Sequence, residues 1–453
     1  MVKGKDKILS GAVVLGAGTF IAKILGALYR APLTNFIGGY GLGLYQMVFP
    51  VYVLLLDLSS AGVPTALSKL ISSREQSDKK SFATACLKKS ISLFTVVGII
   101  LSVTMVLLAK IMARGQGNEQ AWLGYVFLAP AIVPVCILAC FRGYFQGFMK
   151  MTPTALSQIT EQLIKLVLGL TFAYLALPNI PKAVAGATLA ITVAETIACL
   201  QTFLAYKIFN KNQKKAKIYE QKFNGLLKSI IKIVLPVTIT GILLPLSHVA
   251  DSFIVINVLS RYRADATELY GLLSGVAHTV IGLPVSICYG ISTATLPSVS
   301  SSNGEERETR TKKSLILTLV LSLLGAAGCY AFSGLIVKLL FNSLSGQEKI
   351  VSIELIKITS LGVVLLSLLQ TENAILIAHG KTYIPPITLS LGVIAKILIS
   401  VLLISNPAFN IYGGAIGLIA CYFLPCLVNL IVIVTLRMKN ESKIPCNRQL
   451  SIG

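Results

Sequence analysis

About twelve apolar stretches, each long enough to cross a lipid bilayer as a helix, recur along this sequence. They fall at 8–30, 44–71, 85–110, 121–143, 154–177, 183–207, 229–257, 270–298, 314–341, 351–378, 385–405 and 411–436. In hydrocarbon a backbone has no water to bond, so each stretch must satisfy its own amides and carbonyls as a helix. Over the whole chain 55% of residues are hydrophobic and 13% charged, a balance that soluble domains do not reach. The expected fold class is therefore an all-α polytopic membrane protein. The first stretch follows Lys3, Lys5 and Lys7 as a signal peptide would, but it runs to spanning length and is read as a retained helix.

The net charge of +22 sorts by topology. With the N-terminus inside, alternate loops collect Arg74, Lys79, Lys80, Lys88 and Lys89, then Lys207 through Lys228, then Arg307, Arg310, Lys312 and Lys313, and finally the tail from Arg437. Few cations remain on the other side, among them Lys110, Arg114, Arg261 and Arg263. This is the positive-inside distribution with both termini cytoplasmic. It accounts for the charge through anionic lipid headgroups, without nucleic acid. Eight of the nine cysteines sit in or beside apolar stretches, with Cys446 in the polar tail. An odd number in such surroundings reads as free thiols.

The longest polar connection, "KIFNKNQKKAKIYEQKFNGLLK" at 207–228, separates six helices from six, giving 1–222 and 223–453 as two lobes. The halves resemble one another. Gly62, Thr65 and Ala66 align with Gly290, Thr293 and Ala294 at one offset, and Gly147, Pro153 and Ser157 with Gly380, Pro386 and Ser390 at a similar one. An even number of helices per copy makes this a parallel repeat with a pseudo-two-fold axis along the membrane normal. Two such lobes facing each other enclose a central cavity.

Charged residues inside spans are costly and mark function or a named partner. Lys23 and Arg30 are seven residues apart on the first helix, so they share a face at about 10 Å separation. Either they reach to the outer interface, or they face a cavity and receive an anion. Glu161 and Lys165 are four apart and suit an internal ion pair. Asp57 reads as a partner for Lys23 or as a coupling acid, and Glu195 and Asp251 as salt-bridge partners or coupling acids. His248 lies three residues from Asp251 and could tune its protonation. There is no G-x-x-x-x-G-K-[ST] loop, H-E-x-x-H, G-x-S-x-G or Cys/His cluster. The chain is therefore expected to be no enzyme and to hold no metal or cofactor.

"ALYRAPLTNFIGGYGLGLYQMVFPVYVLLLDLSSAGVPTALSKLISS", "CFRGYFQGFMKMTPTALSQITEQLIKL" and "GATLAITVAET" resemble the stage V sporulation protein B-like, polysaccharide-transporter branch of the multidrug/oligosaccharidyl-lipid/polysaccharide (MOP) flippase superfamily. The resemblance covers essentially the whole chain. It implies two six-helix lobes, alternating access and transfer of undecaprenyl-linked sugar intermediates to the outer leaflet. In the related lipid II flippases the first helix carries basic residues that face a cationic cavity. Lys23 falls on one such position, and Arg30 lies about one residue from another. Those relatives have an acid near the start of the second helix, where this chain reads Leu44, Tyr45 and Gln46. The expected activity is thus flipping of a polyprenyl-diphosphate-linked glycan, with Lys23 and Arg30 on the diphosphate. Asp57, Glu195 and Asp251 would couple transport to Na+, H+ or the membrane potential. The expected partners are that lipid-linked glycan, membrane lipids and cell-wall synthesis enzymes, in the cytoplasmic membrane of a bacterium. The alternatives are a cation-coupled multidrug exporter of the same superfamily and a non-transporting scaffold for wall synthesis.

Overall fold

A computed structural model of the chain describes residues 2–74, 79–211, 225–300, 302 and 304–441. Lys214, Lys215, Lys217 and Lys222 of the basic connection, the 222/223 boundary, and Lys443, Cys446 and Arg448 of the tail lie outside the described residues. All regular structure among the described residues is helical, as expected. The chain divides into two compact units, one of residues 1–279 with 337–352 and one of residues 280–336 with 353–453.

The first unit holds α1 (Val2–Ser60), α2 (Val63–Ser72), α3 (Lys79–Gly115), α4 (Trp122–Leu128), α5 (Ile132–Gly147), α6 (Thr152–Leu175) and α7 (Ile180–Lys211). It continues through α8 (Leu226–Gly241), α9 (Leu243–Leu259) and α10 (Ala266–Gly271) into a π-helical turn, Leu272–Ala277. Helices α9 and α10 pack on α1. The boundary between compact units therefore falls at Thr279/Val280, a different place from the sequence halves.

Residues 31–43, expected to link two helices, are helical except at one point. Gly38 has φ +65° and ψ −176°, a conformation that only glycine adopts without strain. It divides α1 into two rods. The amide of Gly39, released from the helix by this kink, donates to Glu348 Oε1 at 3.1 Å. The other carboxylate oxygen of Glu348 accepts the amide of Ser345 at 2.6 Å. The remaining glycines permit close packing. A Cβ on Gly43 would sit 2.0 Å from the carbonyl oxygen of Thr267, and one on Gly271 would sit 2.4 Å from that of Gly39.

The second unit holds most of α11 (His278–Ser300), α12 (Gly304–Ala331), the start of α13 (Ser333–Leu340), α14 (Gly346–Ala378) from Ile353, α15 (Ile384–Ile404) and α16 (Tyr412–Glu441). Its core joins Ile281, Val363, Leu369 and Leu418. Polar side chains cross-link the helices: Thr318 with Thr371 at 3.0 Å, and Asn429 with both Asn373 at 2.9 Å and Thr388 at 3.0 Å.

Both units show the polarity expected of lipid-solvated helices. On α3 Ile99, Val103, Leu107 and Ile111 are exposed, whereas Ser90 and Ser102 are buried. On α12 Ile316, Val320 and Leu324 are exposed, and Thr318 and Ser322 are buried. Apolar side chains gain nothing by leaving lipid for a protein interior, so small and polar residues take the helix contacts. Nine helices among the described residues are long and apolar enough to cross a membrane, or ten when the bent pair Leu226–Ile239 and Leu243–Leu259 forms one span. The expectation of about twelve differs for two physical reasons. The two rods of α1, which Gly38 separates, count as one apolar segment, and α6 carries Gln158, Glu161, Gln162 and Lys165, which lower its hydropathy although its 24 residues span about 36 Å.

Candidate functional site

Arg30 is the residue about which the first unit builds a cavity. It sits on the first rod of α1, half-buried, and its Nη1 donates to Thr279 Oγ1 at 3.2 Å. The guanidinium carbon lies 6.0 Å from the centre of the Phe49 ring. Among the described residues no carboxylate forms an ion pair with it. Such a cation keeps its charge in any protein and presents its donors as a planar fork.

The cavity measures about 240 Å³. Helix α1 contributes Arg30, Gln46, Phe49 and Pro50 to its wall, and α9 contributes Pro245 and His248. Tyr270, Ser274 and His278 complete it from α10, the π-helical turn and the start of α11. The wall is braced. Gln46 Nε2 donates to the carbonyl of Ser274 at 2.5 Å, and the hydroxyl of Tyr270 donates to the carbonyl of Gln46 at 3.4 Å. π-Helical turns recur at functional sites, and this one places Ser274 and His278 on the same wall. His248 and His278 meet edge to face, ring centres 5.8 Å apart and planes at 77°. His248 Nδ1 is 3.8 Å from Asp251 Oδ2, the proximity that the three-residue spacing led us to expect.

A second cation adjoins this wall. The ammonium of Lys165 lies 4.9 Å from the Phe49 ring and 5.2 Å from that of Tyr29. Phe49 thus offers its electron-rich faces to two cations, each contact contributing on the order of 1 kcal/mol. This corrects the expected Glu161–Lys165 pair. Glu161 Oε2 is held instead by Arg142 Nη2 at 3.2 Å, while Arg142 Nε donates to Ser157 Oγ at 2.9 Å. Arg142 reaches Glu161 from α5 with a second donor to spare for Ser157, and Lys165 turns toward the aromatic rings of α1.

Glu195 is buried on α7. Arg142→Met is expected to destabilise the first unit by about 3–5 kcal/mol, because it leaves the carboxylate of Glu161 without its ion-pair partner. Glu161→Gln should cost less than about 2 kcal/mol, since an amide oxygen still accepts from Arg142, which also keeps its bond to Ser157. Thermal unfolding of both variants in detergent compares the two.

The other sequence candidates are dispersed. Lys23 is exposed and does not line the cavity, although it shares a helix face with Arg30. Asp57 is half-buried on α1 and forms none of the ion pairs among the described residues. Sequence reasoning missed His278, Arg142 and the cationic role of Lys165. The first two carry no local signal, since their partners lie on other helices.

Residues 8–303 match the family described as "Polysaccharide biosynthesis protein". The chain belongs to this family. Within it, the chain is similar to stage V sporulation protein B of Bacillus subtilis (strain 168), 26% identical over 437 residues that cover 94% of this chain and 83% of that protein. It is similar also to lipid II flippase MurJ of the same organism, 24% identical over 446 residues covering 92% and 81%. Its fold is similar to that of an inward-facing multidrug resistance MATE family transporter of the MOP superfamily, with a TM-score of 0.79, 16% identity and coverage of 93% of this chain and 96% of that one. The polysaccharide biosynthesis family member described here is thus a multi-pass membrane protein with the MOP transporter fold. The resemblance read from its sequence is borne out.

Proposed function

We propose that this chain is an alternating-access flippase that carries a polyprenyl-diphosphate-linked glycan to the outer leaflet. The leading substrate is a peptidoglycan precursor such as lipid II, given the likeness to a lipid II flippase. One observation carries this reading: Arg30 faces a cavity inside a membrane protein with no carboxylate paired to it among the described residues. A diphosphate moved out of water loses several kcal/mol of hydration per charge, and fixed cations must replace it. Arg30 supplies a planar fork, with Lys165 one ring away. Lys23, exposed on the same face of α1, receives the headgroup before Arg30 does. The polyprenyl tail stays in lipid.

In this reading residues 1–222 and 223–453 act as the two lobes. Asp57, Glu195 and Asp251 couple the cycle to H+, Na+ or the membrane potential. Glu195 is the strongest of these, because it is an acid buried inside the membrane-spanning first unit. The protein needs no cofactor, works in the bacterial cytoplasmic membrane with both termini cytoplasmic, and hands its cargo to wall-synthesis enzymes. A multidrug exporter is the second reading, favoured by the MATE-like fold, but cationic drugs would meet Arg30 rather than an acid.

Native mass spectrometry of the full chain with lipid II, undecaprenyl phosphate and a cationic drug separates the two. Retention of lipid II that disappears in the Lys23→Ala/Arg30→Ala variant is expected. Preference for the drug, or equal retention by both proteins, would overturn the flippase reading.

A further inference from the structure

The cavity has a wall opposite in kind to Arg30. Arg30 is permanently charged, whereas the imidazoles of His248 and His278 change charge near neutral pH. They line the same cavity and meet edge to face at 5.8 Å. The groups around them are already committed. Ser274 gives its carbonyl to Gln46, and Tyr270 gives its hydroxyl to the carbonyl of Gln46. Thr279 accepts from Arg30 and donates to the carbonyl of Gly275. The charged or titratable groups near the pair, among the described residues, are Arg30 from α1, Asp251 from α9 and Tyr270 from α10. Asp251 Oδ2 faces His248 Nδ1 from 3.8 Å. Two imidazolium rings at this distance would repel, so the pair takes up one proton at a time.

We propose that His248 and His278 form a second, protonatable half of the headgroup site, so that a diphosphate held by Arg30 binds most tightly when one imidazole carries a proton and loosens when that proton leaves. The inference rests on the flippase reading for the identity of the ligand. It adds a mechanism of release. A diphosphate joined to a polyprenol at one end and a sugar at the other is esterified at both ends. It lacks the proton that titrates near pH 6 in a phosphate monoester, so its own charge is constant across this range. Any pH dependence of binding then belongs to the protein.

The test is binding of a short-chain polyprenyl-diphosphate-linked sugar to the full chain in detergent, followed between pH 5.5 and 8.0. The wild type is expected to weaken about tenfold in affinity as pH rises, the scale of a single screened charge–charge attraction. His248→Gln/His278→Gln should bind weakly and without slope. Arg30→Gln should bind more weakly at every pH but keep the slope. Asp251→Asn leaves both imidazoles in place and removes the carboxylate beside His248. It should therefore move the midpoint to lower pH, and it serves where the double variant does not fold. A slope that persists in the double variant, a midpoint unmoved in Asp251→Asn, or a flat wild-type profile beside clearly weaker binding by Arg30→Gln would overturn this inference alone. Absence of wild-type binding, or undiminished binding by Arg30→Gln, would overturn the flippase reading beneath it.

Discussion

Arg30→Gln should slow transfer of a lipid-linked, diphosphate-bearing sugar across reconstituted vesicles by about 10- to 100-fold, the effect of deleting one charge-assisted hydrogen bond of about 1.5–3 kcal/mol. The loss should appear in transport and binding far more than in folding. In the protein the guanidinium holds a hydroxyl, that of Thr279, and an aromatic ring, that of Phe49; neither is a charge that would be stranded by its removal. Arg30→Lys should recover only part of the rate, since an ammonium keeps the charge but not the planar fork of donors. Lys165→Met should show a smaller loss, because Lys165 reaches the cavity wall only through the Phe49 ring. Transport measured with a fluorescent lipid-linked sugar, alongside thermal unfolding of each variant, checks the split. Equal rates for wild type and Arg30→Gln would remove Arg30 from the pathway.

Gly43→Ala is expected to be the most damaging small substitution in the first unit. Its Cβ would lie 2.0 Å from the Thr267 carbonyl oxygen and 2.8 Å from that carbonyl carbon, so backbone, not a flexible side chain, must give way. Overpacking of this kind costs about 1–3 kcal/mol or more. The strain would push α1 away from α10, which carries Tyr270 of the cavity wall and leads through the π-helical turn to His278. Loss of thermal stability in detergent and loss of headgroup binding should therefore appear together. Gly16→Ala is the matched control, since a Cβ there meets nothing within 4 Å. It should be neutral, or stabilising by a few tenths of a kcal/mol through helix propensity. If Gly43→Ala unfolded at the same temperature as wild type, the close approach of α1 to α10 would have no energetic weight.

Both predictions depend on contacts that differ in how far the sequence discloses them. Arg30 could be singled out because a cation inside an apolar stretch is expensive wherever it ends up. The segment "NFIGGYGLG" fell in the gap between the apolar stretches 8–30 and 44–71. Gly38 does break the helix, with its φ of +65°, whereas Gly43 is helical and is small because Thr267 presses against it. A run of glycines reads the same whether it serves a turn or a close approach, and only the neighbouring helix distinguishes the two.

The sequence by itself determined the membrane class, the all-helical fold and the family, because these follow from segment length, hydropathy and motif order along the chain. It also determined that His248 would stand beside Asp251, three residues apart on one helix. The tertiary structure alone decided partners across helices. It gave Glu161 to Arg142 rather than to Lys165, brought Lys165 to Phe49 and brought His278 to His248. It also separated Lys23 from the cavity that Arg30 lines. The physical reason is the same in each case. Periodicity along a helix says which residues share a face, but the partner a charged side chain takes is settled by competition among every donor and ring that packing brings within reach.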